Sequence, residues 1–275
     1  NHCPKGIVLK PISKMKISLK NKKALIGGSS RGIGRAIAQQ LAASGASVTV
    51  MARSEEQLKS LVSNLPTDSG QQHQYLAVDY SNFEAYKKSI STFFKTNTVD
   101  ILVNNTQGPS AGGALEKKID DYQEAFDLLF KTVVFTTEQA LKGMISQKYG
   151  RIINVASVSV KEPLPYLALS NCIRAAVVTW SKTLASDVGK YNITANCTLT
   201  GYFNTERLKN LNGAKAKSLG IPLSEVENQM LSHVPVGRFG DPTEYGHLVT
   251  FLASDYASFI TGTNIPIDGG LLKSL

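Results

Sequence analysis

Cysteine and histidine are scarce in this sequence, and neither is spaced as a disulfide framework or a metal site would need. The 275 residues include three cysteines and four histidines. The cysteines are odd in number and form no Cys-x-x-Cys pair, and no two histidines have the spacing of metal ligands. This pattern argues against both a disulfide scaffold and a zinc site. We expect a protein of a reducing compartment that binds no metal.

Long apolar runs are missing as well. No run in the sequence approaches the ~20 residues that a helix needs to span a bilayer. The first residues do not show the order of charged, apolar and small residues that marks a signal peptide. The sequence therefore predicts a cytoplasmic protein with no membrane association.

Positive charge is concentrated at the N-terminus rather than spread over the chain. The net charge is +9, and residues 1–23 hold seven lysines and no acid, which leaves two excess charges for the rest. That remainder shows no basic stripe with interleaved aromatic residues, so no nucleic-acid partner is expected. We interpret residues 1–14 as a solvated basic leader outside the fold, rather than a docking arm. Residues 15–275 are then one domain.

Short apolar runs alternate with longer helical stretches after Lys23, which is typical of repeated βαβ units. The pattern predicts a single-domain α/β fold of the Rossmann type, a doubly wound parallel sheet of about seven strands with helices on both faces. The predicted strands are residues 24–26, 48–51, 75–78, 101–103, 151–155, 193–199 and 264–267. The predicted helices are residues 32–44, 54–65, 82–95, 120–147, 167–190 and 243–254.

A glycine-rich turn follows the first predicted strand and opens the first predicted helix. A turn in this position lets the backbone approach a pyrophosphate closely, and the helix N-terminus faces the negative charge. A glycine cluster alone also occurs in ordinary turns. Here strand, turn and helix come in the required order, so we predict a dinucleotide site. The residues of the turn assigned to the cofactor are Gly28, Ser30, Arg31, Gly32, Ile33 and Gly34.

The spacing of this turn, Gly-x-x-x-Gly-x-Gly, and several later motifs resemble the classical short-chain dehydrogenase/reductase family. The resemblance covers nearly all of residues 18–275. Within the family, the sequence looks like the 3-oxoacyl-acyl-carrier-protein reductase branch. The resemblance implies that Asp79 and Asn105 contact the cofactor, that residues 204–240 form a substrate lid, and that the chain is a homo-oligomer, a tetramer or dimer. The matching motifs are Asp79, Asn104-Asn105, residues 151–157, residues 236–244 and residues 260–270.

The residues after the second strand favour NADP(H) over NAD(H). NAD-dependent proteins usually place an acid there to bind the ribose 2′-hydroxyl, whereas this chain has Arg53 and no acid. A guanidinium binds a 2′-phosphate with charge-assisted hydrogen bonds, which an acid would oppose. Arg31, inside the glycine turn, is a second cation where NADP-preferring relatives often carry one. Either arginine could also be merely solvated.

Most of the catalytic residues that the resemblance implies are replaced. Ser157 stands where the family has the serine that orients the substrate oxygen. Ser170 stands in the position of the family's tyrosine, Arg174 in that of its lysine, and Leu129 in that of its asparagine. A serine hydroxyl is far less acidic than a phenol, and leucine makes no hydrogen bond. Arg174 can still bind the cofactor ribose, but it cannot give up a proton.

Two tyrosines are candidates for the missing proton donor. Tyr202 follows Gly201 in a loop expected to pass the substrate pocket, and Tyr166 lies in another loop over it; either could instead be an aromatic wall. We prefer Tyr202, so the predicted catalytic residues are Ser157 and Tyr202. The sequence thus predicts an NADP(H)-dependent oxidoreductase acting on a carbonyl or alcohol, with a small-molecule or acyl-chain substrate. The alternative is a catalytically silent NADP(H)-binding protein with a sensing or scaffold role.

Overall fold

The protein folds around one parallel sheet of seven strands. The computed structural model describes residues 15–274, so the basic leader predicted at residues 1–14 lies outside the described residues. The strand order is β3-β2-β1-β4-β5-β6-β7, and every pairing is parallel. Each predicted strand overlaps an observed one. The strands are β1 Lys23–Gly27, β2 Ser47–Ala52, β3 Gln74–Ala77, β4 Ile101–Asn104, β5 Gly150–Ser157, β6 Ile193–Thr200 and β7 Asn264–Ile267.

Helices connect the strands and cover both faces of the sheet, which confirms the predicted fold class. None of the helices within residues 15–274 combines the length and the apolar character that crossing a bilayer requires. The helices are α1 Gly32–Ala43, α2 Glu55–Ser63, α3 Phe83–Thr96, α4 Ile119–Phe126, α5 Thr132–Gln147, α6 Ala168–Val188, α7 Glu206–Leu219, α8 Leu223–Leu231 and α9 Pro242–Ala253.

Alternate residues of each central strand feed two separate cores. Ile26 of β1 packs in the core beneath α1, α2 and α9, whereas its neighbour Leu25 packs in the core beneath α3, α5 and α6. Val103 and Leu102 of β4 divide in the same way. The reason is the two-residue period of a strand, which sends successive side chains to opposite faces. Strands that are apolar at every position are therefore buried on both sides.

The predicted helix over residues 120–147 is interrupted. A π-helical turn, Asp127–Lys131, joins α4 to α5, and the hydroxyl of Thr132 donates to the carbonyl of Leu128 at 2.6 Å. Such turns are uncommon and occur frequently at functional sites. Residues 204–240, which had no predicted helices, contain α7 and α8. These two helices pack on each other through Ala216, Val226 and Met230.

The strand order reverses beside β1, and this reversal determines where a ligand site is expected. β1 pairs with β2 on one side and with β4 on the other. The connections that leave the carboxyl ends of β1 and β4 run to opposite faces of the sheet, which opens a crevice between them. Open α/β sheets bind their ligands at such a point.

Candidate cofactor and substrate site

The glycine turn after β1 is shaped by the close approach of Asn105. The Asn105 amide nitrogen donates to the carbonyl of Gly27 at 3.1 Å. A Cβ on Gly34 would lie 2.3 Å from the carbonyl oxygen of Gly28 and 2.8 Å from that amide nitrogen. Gly28 and Gly32 have φ values of 56° and 55°, in the left-handed region that favours glycine. Glycine is therefore required here by space as well as by backbone conformation.

Tyr80 holds the other side of the turn, and sequence reasoning missed it. The backbone N–H of Gly28 donates to the Tyr80 hydroxyl at 3.2 Å. Burial, chiefly, raises the pKa of Tyr80 well above its ordinary value, so the hydroxyl stays neutral and hydrogen-bonded. Its position directly after Asp79 is the only sequence signal that could have found it.

A cleft of about 810 Å³ opens at this turn and brings most of the predicted cofactor residues together. It lies at the carboxyl ends of β1 and β4, where the crevice was expected. Its size suits a ligand larger than a simple metabolite, since drug-sized ligands occupy about 300–1,000 Å³. Nine predicted residues line it: Gly28, Ser30, Arg31, Gly32, Ile33, Gly34, Arg53, Asp79 and Asn105.

The two predicted phosphate-binding arginines lie at the same cleft with different partners. Arg53 donates to the side-chain oxygen of Gln107 at 3.0 Å. Arg31 forms an ion pair of 2.8 Å with Glu206, which begins α7. Both guanidinium groups remain largely exposed, so either can turn toward a ligand. The 204–240 segment therefore contacts the glycine turn directly.

Asp79 is held at the rim by its own neighbour. Its carboxylate accepts hydrogen bonds from the Ser81 N–H at 2.9 Å and the Ser81 hydroxyl at 2.7 Å. These bonds, with a smaller contribution from Arg53, lower the pKa of Asp79. The carboxylate is thus charged and fixed at neutral pH, which suits a hydrogen-bond acceptor for a ligand hydroxyl or amino group.

Ser157 and Tyr202 lie at the carboxyl ends of neighbouring strands but do not line the large cleft. Ser157 is the last residue of β5 and pairs in register with Thr200, the last residue of β6. The Ser157 hydroxyl accepts from the backbone N–H of Ser159 at 3.1 Å, which leaves its proton free to donate. Tyr202 comes two residues after β6. Both therefore lie at the same edge of the sheet as the glycine turn.

The surroundings of Tyr202 pack its ring and weaken its phenol as a proton donor. Its ring packs against the α7–α8 cluster formed by Ala216, Val226 and Met230. Burial raises the pKa of Tyr202, and the nearby Tyr166 adds to the shift. A phenol with a raised pKa is a weaker acid near neutral pH. Tyr166 is itself half-exposed, and its pKa is also raised by burial.

Arg174 lies below the cleft rather than in it. Its Nη1 donates to the backbone carbonyl of Val155 at 2.6 Å, so it does not extend along the cofactor cleft as the ribose role would suggest. Burial lowers the pKa of Arg174 to about 10, and Arg207 contributes. Arg174 and Leu129 line a small cavity of about 10 Å³ together with Thr106, which also lines the cleft.

Leu129 lines that cavity, whereas Ser170 does not. Leu129 lies in the π-helical turn and is 2% exposed. It packs against Leu169 and Ile173 of α6 in an apolar cluster. Ser170 is partly exposed on the same helix, near its N-terminus. Within residues 15–274, no three side chains of histidine, cysteine, aspartate or glutamate lie close enough to hold a metal ion.

A doubly wound sheet with a phosphate-binding turn at its switch point defines a dinucleotide-binding protein, and comparison with known proteins identifies the family. The family described as Enoyl-(Acyl carrier protein) reductase matches residues 28–272. The chain belongs to this family of short-chain dehydrogenases/reductases and is an oxidoreductase related to 3-oxoacyl-acyl-carrier-protein reductases. The FabG reductase of that name from Haemophilus influenzae is 34% identical over 259 residues, 93% of this chain and 100% of the relative.

Solved structures show the same architecture. L-sorbose reductase from Gluconobacter frateurii, complexed with NADPH and L-sorbose, superposes with a TM-score of 0.88 at 31% identity and covers 95% of this chain and 100% of its own. YwfH, an NADPH-dependent reductase involved in bacilysin biosynthesis, superposes with a TM-score of 0.86 at 28% identity and covers 92% and 99%. These likenesses extend over nearly the whole described chain.

Proposed function

We propose that this protein is an NADP(H)-dependent oxidoreductase that interconverts a carbonyl compound and its alcohol, as 3-oxoacyl-acyl-carrier-protein reductases do. The observation that carries the proposal is that nine predicted cofactor residues line one cleft. NADP(H) is the cofactor, as the sequence predicts, because the similar L-sorbose reductase and YwfH bind or use NADPH.

The residues present fit this cofactor. The closely packed glycines leave the backbone amides at the start of α1 open to a pyrophosphate, and the helix dipole favours its charge there. Arg31 and Arg53 supply two guanidinium groups for the 2′-phosphate. Asp79 lines the same cleft, and Asn105 lies against the backbone of the turn. When bound, the cofactor supplies the hydride; the chain binds and orients it.

We infer that proton transfer departs from the family's usual arrangement. Ser157 orients the substrate oxygen, since its hydroxyl proton is free to donate. Serine at position 170 cannot deliver a proton readily near neutral pH. Tyr202 is the proposed proton donor, with Tyr166 as the other candidate, and Arg174, held at the Val155 carbonyl below the cleft, contributes positive charge. The raised pKa of Tyr202 predicts a slow step.

The test is NADPH consumption against a panel of ketones and aldehydes. We expect turnover that falls about 100-fold in Ser157→Ala, as loss of one oxygen-orienting donor does elsewhere. Ser60→Ala, an exposed serine on α2, is the matched control and should be unaffected. Tyr202→Phe should lose turnover and Tyr166→Phe should not. Tight NADPH binding with no turnover on any carbonyl would instead identify the silent alternative.

We further propose that residues 204–240 close over the substrate and that the chain acts as a homo-oligomer, a tetramer or dimer. The first turn of α7 supports the lid role because Glu206 already reaches Arg31 of the glycine turn. The surfaces expected to associate are those of residues 120–147, residues 167–190 and β7. Light scattering of the purified protein, with and without NADPH, gives the oligomeric mass.

A further inference from the structure

The first turn of α7 carries a second residue into the cleft, Arg207. Its Nη1 donates to the backbone carbonyl of Gly108 at 3.2 Å, in the loop between β4 and α4. A Cβ on residue 108 would lie 2.5 Å from the Arg207 Nη2. The guanidinium therefore occupies space beside residue 108 that only glycine leaves open. Arg207 thus lines the same cleft as the glycine turn.

Arg207 has no acidic partner among the described residues. Its neighbour Glu206 is engaged by Arg31, and none of the ion pairs within residues 15–274 includes Arg207. Its one hydrogen bond goes to a neutral carbonyl. A guanidinium has five N–H donors, so most of its hydrogen-bonding capacity is unused by residues 15–274.

A second cation without an acid lies close by. Arg174 bonds only to the carbonyl of Val155, two residues before Ser157, and none of the ion pairs in the described chain includes it. The small cavity at Arg174 and the large cleft share one lining residue, Thr106. The two arginines therefore lie on α6 and α7 beside the same loop after β4.

Arg207 destabilises the positive charge of Arg174. Burial lowers the pKa of Arg174 to about 10, and repulsion by Arg207 adds to the effect. Desolvation, and then Arg31, lowers the pKa of Arg207 as well, although its side chain remains exposed and open to a ligand. A bound anion would offset the repulsion among these guanidinium groups. The site is thus electrostatically incomplete.

We propose that the substrate is an anionic carbonyl compound, an oxo acid, whose carboxylate binds Arg207 in the field of Arg174. This deepens the proposed function and rests on it. A carboxylate matches the planar fork of arginine with two parallel hydrogen bonds. Lys215, whose Nζ lies 5.9 Å from the ring centre of Tyr166, extends the positive charge along α7. A neutral acyl chain would gain nothing from these groups.

One other anion could meet Arg207, namely the pyrophosphate of the cofactor. The two sources share the same chemistry but differ in what the loss of Arg207 weakens. If the carboxylate of the substrate is the partner, Arg207→Gln leaves NADPH affinity unchanged and weakens binding of the oxo acid. If the pyrophosphate is the partner, the variant lowers NADPH affinity, whichever substrate is used.

The experiment compares 2-oxooctanoate and 4-oxopentanoate with their methyl esters. Reduction by NADPH is measured for the wild type, Arg207→Gln and Lys209→Gln, an exposed cation on the same helix that does not line the cleft. We expect the wild type to prefer at least one acid over its ester by about tenfold or more in kcat/KM. Arg207→Gln should remove that preference by lowering kcat/KM for the acid about 10- to 100-fold. Lys209→Gln should keep it.

Calorimetry on the NADP⁺ complex gives a readout that does not depend on turnover. The acid should bind more tightly than its ester to the wild type and to Lys209→Gln, and equally weakly to Arg207→Gln. Acids that bind no better than esters, or an Arg207→Gln variant that loses NADPH affinity about as much as acid affinity, would overturn the proposal. Neither result touches the proposed oxidoreductase function, which fails only if the wild type neither binds NADPH nor reduces any carbonyl.

Discussion

At the scale of single residues, the choice of cofactor depends on two arginines with unequal freedom. Arg31 is already paired with Glu206, at 2.8 Å, whereas Arg53 bonds only to the neutral amide of Gln107. Releasing Arg31 toward a phosphate means breaking an exposed ion pair, which costs about 0–1 kcal/mol. Arg53 can turn without losing an ionic partner. We therefore assign it the larger share of the 2′-phosphate contact.

Substituting Arg53 tests this assignment directly. We expect Arg53→Gln to weaken NADPH binding about 10- to 100-fold, because a hydrogen bond to a charged group contributes about 1.5–3 kcal/mol. NADH affinity should stay the same, since NADH lacks the 2′-phosphate. Fluorescence titration measures both, with Arg35→Gln on the outer face of α1 as the control. Parallel losses for the two dinucleotides would contradict the assignment.

At the scale of elements, the glycine turn and α1 act as one unit with Asn105. The backbone of the turn, the start of the helix and the Asn105 amide occupy space that no Cβ can share. The backbone also donates to Tyr80. A change in any one of these groups is therefore transmitted to the pyrophosphate site, because close-packed interiors do not absorb added volume.

Gly34→Ala is the sharpest disturbance of this unit. The new Cβ would lie 2.3 Å from the Gly28 carbonyl oxygen, so the turn must move. Overpacking of this kind costs about 1–3 kcal/mol, and we expect NADPH affinity to fall about 10- to 100-fold. Gly213→Ala, in α7 with no atom within 4 Å of the new Cβ, is the control. It should bind NADPH normally; a normal affinity in Gly34→Ala would refute the argument.

The contribution of the N-terminus of α9 to the stability of the fold should depend on pH. Glu244 accepts from the Asp241 N–H and pairs with both terminal nitrogens of Arg238, at 2.7 and 2.8 Å. The Arg238 bonds, then the Asp241 N–H, lower the pKa of Glu244 from 4.5 to about 2. A carboxylate with a lowered folded-state pKa stabilises the fold above its unfolded pKa, and the contribution is lost as the pH falls.

We therefore expect Glu244→Gln to be less stable than the wild type at pH 7, with a difference that shrinks between about pH 4.5 and pH 2. Urea unfolding at a series of pH values measures it, while the exposed Glu124→Gln of α4 reports the effect of losing any carboxylate. A difference between wild type and Glu244→Gln that is constant over this range would show that the capping carboxylate does not titrate as described.

At the scale of the whole molecule, the cleft joins parts that lie far apart in the sequence. The glycine turn, the loop after β4 and the first turn of α7 all line it. A ligand that contacts all three stabilises the folded state as a unit. At a hundredfold excess over its Kd, a ligand that binds only the folded state adds about 2.7 kcal/mol.

The melting temperature should therefore respond to the right dinucleotide. We expect NADPH at a hundredfold excess over its Kd to raise Tm by about 5–10 °C, given the shift of about 2–4 °C per kcal/mol for a domain of this size. NADH at the same concentration should produce a smaller shift. Differential scanning calorimetry makes the comparison, and equal shifts would count against the preference for NADP(H).

Local sequence determined the strands, most of the helices and the dinucleotide turn. The apolar alternation and the order of strand, glycine turn and helix depend on neighbouring residues only, so they could be found without the fold. The same holds for Arg53, whose predicted role in binding the 2′-phosphate follows from its position directly after β2. The positions of the nine cleft residues were therefore predictable. The π-helical turn was not, because a helical pattern does not reveal one extra residue in a turn.

Only the tertiary structure decided which side chains contact one another in the site. Arg31 and Glu206 are 175 residues apart, and Arg207 and Gly108 are 99 apart, so no local pattern links them. The burial of Arg174 against Val155 and the packing of Tyr202 between α7 and α8 likewise follow from how distant segments fill space together. Charge and hydrogen-bond satisfaction are properties of the assembled site. The sequence by itself determined which groups are present, and the fold determined which of them meet.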